Sequence, residues 1–169
     1  MKDSQNKQPL VSVIIPNYNH AKYLDQRIQT VLGQTYQNFE VIILDDCSTD
    51  NSLEVIEKYK TNSHISQIVV NEKNSGNTFL QWDKGIHLAQ GDLIWVAESD
   101  DYCELNFLDE LVKAYNRDEH TVLAYSTLTL VDESGNVTYR PKCFENQSFS
   151  AHQYLRKYLS LANFIRNAS

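Results

Sequence analysis

The sequence is short of what a nucleic-acid-binding, disulfide-built or membrane-spanning protein needs. Lys and Arg number 15 against 22 Asp and Glu in 169 residues, a formal net charge of -7. Such a balance excludes a phosphate-backbone-binding surface, which needs a local excess of basic side chains. An acidic chain that handles a phosphorylated ligand therefore calls for a cation as intermediary. The cysteines are three, Cys47, Cys103 and Cys143, an odd number without the close pairing of a zinc ribbon or redox motif. They read as free thiols of a reducing compartment. No apolar run approaches the roughly 18 residues of a membrane span, and Met1 to Gln8 is polar without the apolar stretch of a leader peptide. The expected location is the cytoplasm, with peripheral association at the inner face of a membrane compatible with the chain.

Other absences narrow the chemistry. His20, His64, His87, His120 and His152 lack metal-ligand spacing. No Ser-His-Asp or Cys-His arrangement is suggested, and Cys47 stands beside acids that disfavour its thiolate. The glycines form neither a Walker nor a dinucleotide loop. There is no internal repeat or low-complexity block.

What the chain does have is 41% hydrophobic residues, enough for one substantial core. Short apolar runs alternate with helical patterns through the first hundred or so residues, the grammar of βαβ units. Leu10 to Ile15 reads as a strand ended by Pro16, which lacks an amide donor. Leu24, Ile28, Val31 and Leu32 follow at helical spacing, with Gly33 placed to stop that helix. Phe39 to Leu44 is nearly all apolar, as a strand covered on both faces should be. Asn51 with Glu54 resembles a capping box for a helix carrying Leu53, Ile56 and Tyr59. Strands over Ile65 to Val70 and Leu93 to Ala97 bracket a helix whose apolar face is expected at Phe79, Trp82 or Asp83, Ile86 and Ala89. Leu105, Leu108, Leu111, Val112 and Tyr115 form the stripe of another helix. Beyond it, Thr121 to Val131 and Val137 to Tyr139 read as antiparallel strands around an Asp132–Asn136 turn. Ser148 or Ser150 is placed to cap a last helix around Ala151 to Leu159.

Acids gather where such a fold binds ligands. In open parallel sheets the crevice lies beyond the carboxyl ends of the strands, and there the sequence puts Asp45-Asp46 and Glu98-Ser99-Asp100-Asp101. Crowded carboxylates repel one another, and a divalent cation relieves the repulsion. Turn and cap chemistry is the plainer account of Asp45, Asp46 and Asp50. It accounts less well for three acids directly after an apolar strand.

Three stretches in this order, VSVIIPNYNH, QTYQNFEVIILDDCSTDNS and NSGNTFLQWDKGIHLAQGDLIWVAESDDY, resemble glycosyltransferase family two, inverting enzymes of the GT-A fold. The resemblance spans about Val11 to Leu111. It implies an α/β, Rossmann-like, mostly parallel sheet with helices on both faces and a small antiparallel addition toward the C-terminus. It also implies a polar tail over 1–9, a nucleotide-sugar-binding subdomain over 10–120, and the start of an incomplete acceptor-side subdomain over 121–169. By the same resemblance Pro16, Tyr18 and Asn19 lie along the nucleotide, with Tyr18 stacking on the base. Asp46 or Asp45 accepts a hydrogen bond from the base, and UDP is the default nucleotide. Asn74 and Gly76 belong to a loop near the diphosphate and sugar, with Lys84 adding charge. Glu98 and Ser99 sit in the family's Asp-x-Asp position beside the ribose, and Asp100 or Asp101 binds Mg²⁺ or Mn²⁺.

The implied reaction is transfer of a hexosyl or N-acetylhexosaminyl unit from a nucleotide-sugar donor to a glycan or lipid-linked acceptor, with inversion. Three departures stand out: Glu98 replaces the commoner Asp, Gln81-Trp82-Asp83-Lys84 stands where many members carry Ala-Arg-Asn, and no residue fits the general base, which is expected beyond Ser169. Asp132, Glu133 and Glu145 are available carboxylates that turn and surface positions explain equally well. Two alternatives follow, a nucleotide-sugar-binding module without turnover and, with less support, a receiver-like Mg²⁺-binding signalling domain.

Overall fold

The computed structural model describes residues 8–140, 148–150 and 153. The chain divides into a compact unit ending at Val122 and a second beginning at Leu123. In the first, β1 (Val11–Asn17), β2 (Phe39–Asp45), β3 (Ile65–Val70) and β4 (Leu93–Val96) alternate with α1 (Ala21–Leu32), α2 (Ser52–Glu57), α3 (Thr78–Leu88) and α4 (Phe107–Tyr115). All strand pairs are parallel, in the order β3-β2-β1-β4. This is the mostly parallel α/β sheet that the resemblance implies.

The two central strands are buried along their whole length, which explains their unbroken apolar sequences. Alternate residues feed two cores. Val11, Val13, Ile15, Val41 and Ile43 pack with Leu24, Ile28 and Val31 of α1, Val55 and Ile56 of α2, and Leu108 and Val112 of α4. Ile14, Ile42 and Leu44 point to the other face, against Leu88 and Ala89 at the end of α3. Each fully buried aliphatic side chain contributes about 1.5–3 kcal/mol.

Three local expectations are corrected. Pro16 lies within β1 rather than ending it: β1 stays paired with β2 through Asn17, while its pairing with β4 stops at Ile14 and Val96, before the missing amide matters. On α3 the buried positions are Gln81 and Gly85, whereas Phe79 and Ile86 are 68% and 49% exposed. Gly85 decides this orientation. A Cβ there would collide with the Ile14 side chain, so the helix approaches the sheet on its smallest residue. At α2 Asn51 makes no side-chain cap bond. Instead Asp50 accepts from Ser52 N (3.0 Å) through Oδ1 and, through Oδ2, from Ala21 N at the start of α1 (2.9 Å).

In the second unit β5 (Leu130–Val131) and β6 (Val137–Tyr139) form an antiparallel pair. The first strand is far shorter than Thr121 to Val131, because only the residues next to the turn pair, Leu130 with Tyr139 and Val131 with Val137. Asp132 Oδ1 organises the turn by accepting from Ser134 N and Asn136 N, both 2.9 Å. Ser150 Oγ accepts from Gln153 N (3.2 Å), as a cap would. The rest of the expected last helix, Cys143 and Glu145 lie outside the described residues.

Candidate functional site

The chain runs β1, β2, β3 toward one edge and then returns to place β4 on the other side of β1. The reversal opens a crevice beyond the carboxyl ends of β1 and β4, the position where doubly wound sheets bind ligands. A cleft of about 390 Å³ lies there, within the range of small-molecule sites. Pro16, Tyr18, Asp46, Gly76, Glu98 and Ser99 line it, together with Asn17, His20, Asn74, Asn77, Thr78 and Gln81.

The acid pair ending β2 is almost wholly engaged by its own surroundings. Asp45, 0% exposed, accepts from Asn17 Nδ2 (2.8 Å), Ser48 N (2.8 Å) and Ser48 Oγ (2.6 Å). It is not among the cleft-lining residues, and its burial leaves no surface for a base to reach. Of the two acids offered for the base, the structure therefore brings only Asp46 to the cleft. Asp46 in turn accepts from Asn71 Nδ2 (2.6 Å), Ser75 N (3.0 Å), Ser75 Oγ (2.7 Å) and Gln81 Nε2 (2.9 Å), and its carbonyl accepts from Asn74 Nδ2 (3.1 Å). Burial alone would raise its pKa. The Ser75 hydroxyl, the Asn71 amide, the Ser75 N–H and the charge of Lys84 outweigh burial and hold it below the usual carboxylate value.

These bonds fix the 71–77 loop over the strand ends. Gly76 sits at φ +67° with its N–H bonded to Asn74 Oδ1 (2.7 Å), a conformation that favours glycine. Lys84 Nζ donates to Asn71 Oδ1 (2.6 Å), one bond removed from Asp46. Because Asp45 and Asp46 claim the NH₂ groups of Asn17 and Gln81, the amide orientations are set. Asn17 Oδ1 and Gln81 Oε1 are left buried without a partner beneath the cleft, at about 1–3 kcal/mol each.

The turn after β4 is held differently, by side chains reaching in from other elements. Arg27, fully buried on α1, donates from Nε to the Glu98 carbonyl (2.7 Å) and places a second nitrogen 3.8 Å from Asp101. Trp82 Nε1 of α3 donates to Glu98 Oε1 (2.9 Å). His20 Nδ1 lies 2.7 Å from Ser99 Oγ. Gln34 ties the next segment down by donating to the Glu104 carbonyl (2.8 Å) and accepting from Leu108 N (2.8 Å). Asp101 faces Arg27, yet burial, reinforced by Asp100 and Glu98, pushes its pKa up to about 6 against the pull of the guanidinium. Asp100 is exposed. Among the described residues no cluster of three metal-ligating side chains occurs.

Tyr18 is 45% exposed at the rim. Asn19, at φ +57°, turns its side chain away from this set, and its Oδ1 accepts from Thr49 N (2.7 Å) and Asp50 N (3.3 Å). Reading the sequence missed Arg27, Trp82, His20, Asn17 and Gln81. Arg27 stands among polar α1 neighbours and carries no local sign of burial. Gln81 was visible only as a departure from a motif, and Trp82 only as that and as a candidate for the apolar face of its helix.

A family model described as "Glycosyl transferase family 2" matches residues 12–167. The chain belongs to this family. It is 32% identical over 140 residues to Glycosyltransferase GlyG of Streptococcus pneumoniae, covering 80% of this chain and 46% of GlyG. It is 34% identical over 132 residues to the hyaluronan synthase of Pasteurella multocida, covering 78% of this chain and 13% of that protein. Among solved structures, S. aureus TarS 1–349 in complex with UDP superposes with a TM-score of 0.59 at 26% identity, covering 69% of this chain and 38% of that one. The chain thus spans about half of GlyG or less of the longer relatives. Family membership sets the receiver-like alternative aside. Among the described residues no helix is long and apolar enough to cross a membrane.

Proposed function

We propose that this chain is the donor-binding part of an inverting glycosyltransferase that takes a UDP-sugar and glycosylates a hydroxyl of a glycan or lipid-linked acceptor. The observation carrying this reading is the cleft at the strand reversal, with Tyr18 at its rim, Asp46 and the Gly76 loop on one side and the Glu98–Asp101 turn on the other. The TarS complexes with UDP and UDP-GlcNAc support the nucleotide. Residues 10–120 form the nucleotide-sugar subdomain, and 121–169 begin the acceptor side.

The residues divide the work by chemistry. Tyr18 offers a flat face to the base. Asp46 orders the 71–77 loop against the diphosphate, and Lys84 adds positive charge beside it. Glu98 and Ser99 lie beside the ribose. Asp100 suits a Mg²⁺ or Mn²⁺ ion: it is an exposed carboxylate next in the chain to the cleft-lining Glu98 and Ser99, and such ions are commonly held by one or two carboxylates plus substrate phosphates. Asp101, turned to Arg27, balances that buried cation instead. When bound, the ion neutralises charge on the departing diphosphate. No described carboxylate is assigned as general base, since that of Asp132 is spent within its own turn.

Titration calorimetry with UDP, with and without Mn²⁺, tests the reading. Metal-dependent binding of UDP in preference to GDP is expected. Absence of UDP binding under both conditions refutes it, and binding without donor hydrolysis favours the module without turnover.

A further inference from the structure

Glu98 is held at both ends by donors from opposite faces of the sheet. Its carbonyl accepts from Arg27 Nε of α1 at 2.7 Å, and its Oε1 accepts from Trp82 Nε1 of α3 at 2.9 Å. α1 packs on one core and α3 on the other, so Glu98 is the point where the two layers meet at the cleft. The indole is itself braced: Phe79 meets it edge to face at 5.1 Å and 78°. A glutamate has one more rotatable bond than the aspartate common at this position, and an unrestrained one would lose that freedom on binding a ligand. The indole removes the freedom in advance. A carboxylate has about four acceptor sites, so a single indole bond does not exhaust it.

We infer that Trp82 is a positioning residue: its indole N–H aims the Glu98 carboxylate at a hydroxyl of the donor ribose, so that the cleft selects ribonucleoside over deoxyribonucleoside diphosphates. The inference rests on the donor-binding reading above. It also joins the Glu98 and Trp82 departures into one substitution, a longer acid together with the donor that restrains it.

The test compares UDP with 2′-deoxy-UDP and 3′-deoxy-UDP on the 169-residue chain in the presence of Mn²⁺. The unsubstituted chain is expected to bind UDP about tenfold or more tightly than at least one deoxy analogue, the scale of a hydrogen bond to a charged group. Trp82→Phe is expected to reduce that ratio to about two- or threefold by weakening UDP and leaving the analogue unchanged. On a Glu98→Ala background, Trp82→Phe is expected to have no further effect on the ratio. A tryptophan that merely packs would weaken all three ligands alike, and that result overturns the inference.

A second measurement needs no substitution at Trp82. The chain contains two tryptophans, hence two indole N–H resonances, and both Glu98→Ala and added UDP are expected to move the same one. If neither does, Trp82 is not coupled to the ligand. Failure of the unsubstituted chain to bind UDP refutes the donor reading and this inference with it. Normal UDP binding with a ratio indifferent to Trp82→Phe refutes this inference alone.

Discussion

The two acidic turns at the carboxyl edge of the sheet look alike in sequence and are built in opposite ways. Asp45 and Asp46 are met by neutral donors from nearby loops and α3, a set of amides, hydroxyls and backbone N–H groups that saturates both carboxylates. The Glu98–Asp101 turn is held by Arg27 at the Glu98 carbonyl and beside Asp101, by Trp82 at the Glu98 carboxylate and by His20 at Ser99, and Asp100 is left exposed. Acids with a full complement of neutral donors are stable as anions and act as scaffold. Acids crowded around one buried arginine keep a reason to recruit a cation.

Breaking the first turn should unsettle the fold more than the ligand. Asp45→Ala leaves the donors on Asn17 and Ser48 unmatched, and a loss of about 3 kcal/mol is expected in urea denaturation. Breaking the second should do the reverse. Asp100→Asn is expected to weaken Mn²⁺-dependent UDP binding by about thirtyfold, roughly 2 kcal/mol, with the melting temperature little changed. Asp132→Asn, whose carboxylate is engaged within its own hairpin turn, should leave binding alone, and equal effects of the two would refute the assignment of Asp100. Tyr18→Ala is expected to cost about 1–2 kcal/mol of UDP affinity by calorimetry, the scale of base stacking on an aromatic ring. No change would make Tyr18 a surface side chain and nothing more.

A further expected effect is a pH dependence with a definite sign. Asp101 titrates at about 6 in the folded chain, against an ordinary value of 3.8, so between those pH values the folded state holds a proton that the unfolded state has released. Stability therefore falls as pH rises through that window and levels off above about 6. Asp46 shifts the other way, and its contribution is lost only as pH drops through its lowered value. Asp101→Asn should flatten the first dependence in denaturation midpoints between pH 4 and 7. A slope that survives the substitution assigns it elsewhere.

Much of the fold was legible because burial on two faces leaves so plain a mark. FEVIIL can hardly be anything but a central strand, and acids after such strands identify the ligand edge. The face of α3 was not legible. Phe79 and Ile86 carry the apolar signal, while the sheet is met by Gly85 and Gln81, because closeness of approach rather than hydrophobicity chose that side. Arg27 was hidden for a related reason: its burial is balanced by Asp101 and the Glu98 carbonyl, 74 and 71 positions away, which no local pattern reports. The division of labour between Asp45 and Asp46 was equally out of reach, since it depends on whether each side chain turns under the strand edge or over it.

Asp50 caps α2 with one carboxylate oxygen and the start of α1 with the other. The loops after β1 and β2 are thereby riveted into a single body on one flank of the cleft, and neither can yield to a ligand without dragging its neighbour. The 71–77 loop joins the same body through Asp46, while across the cleft the Glu98–Asp101 turn is fastened separately, to α1 through Arg27 and to α3 through Trp82.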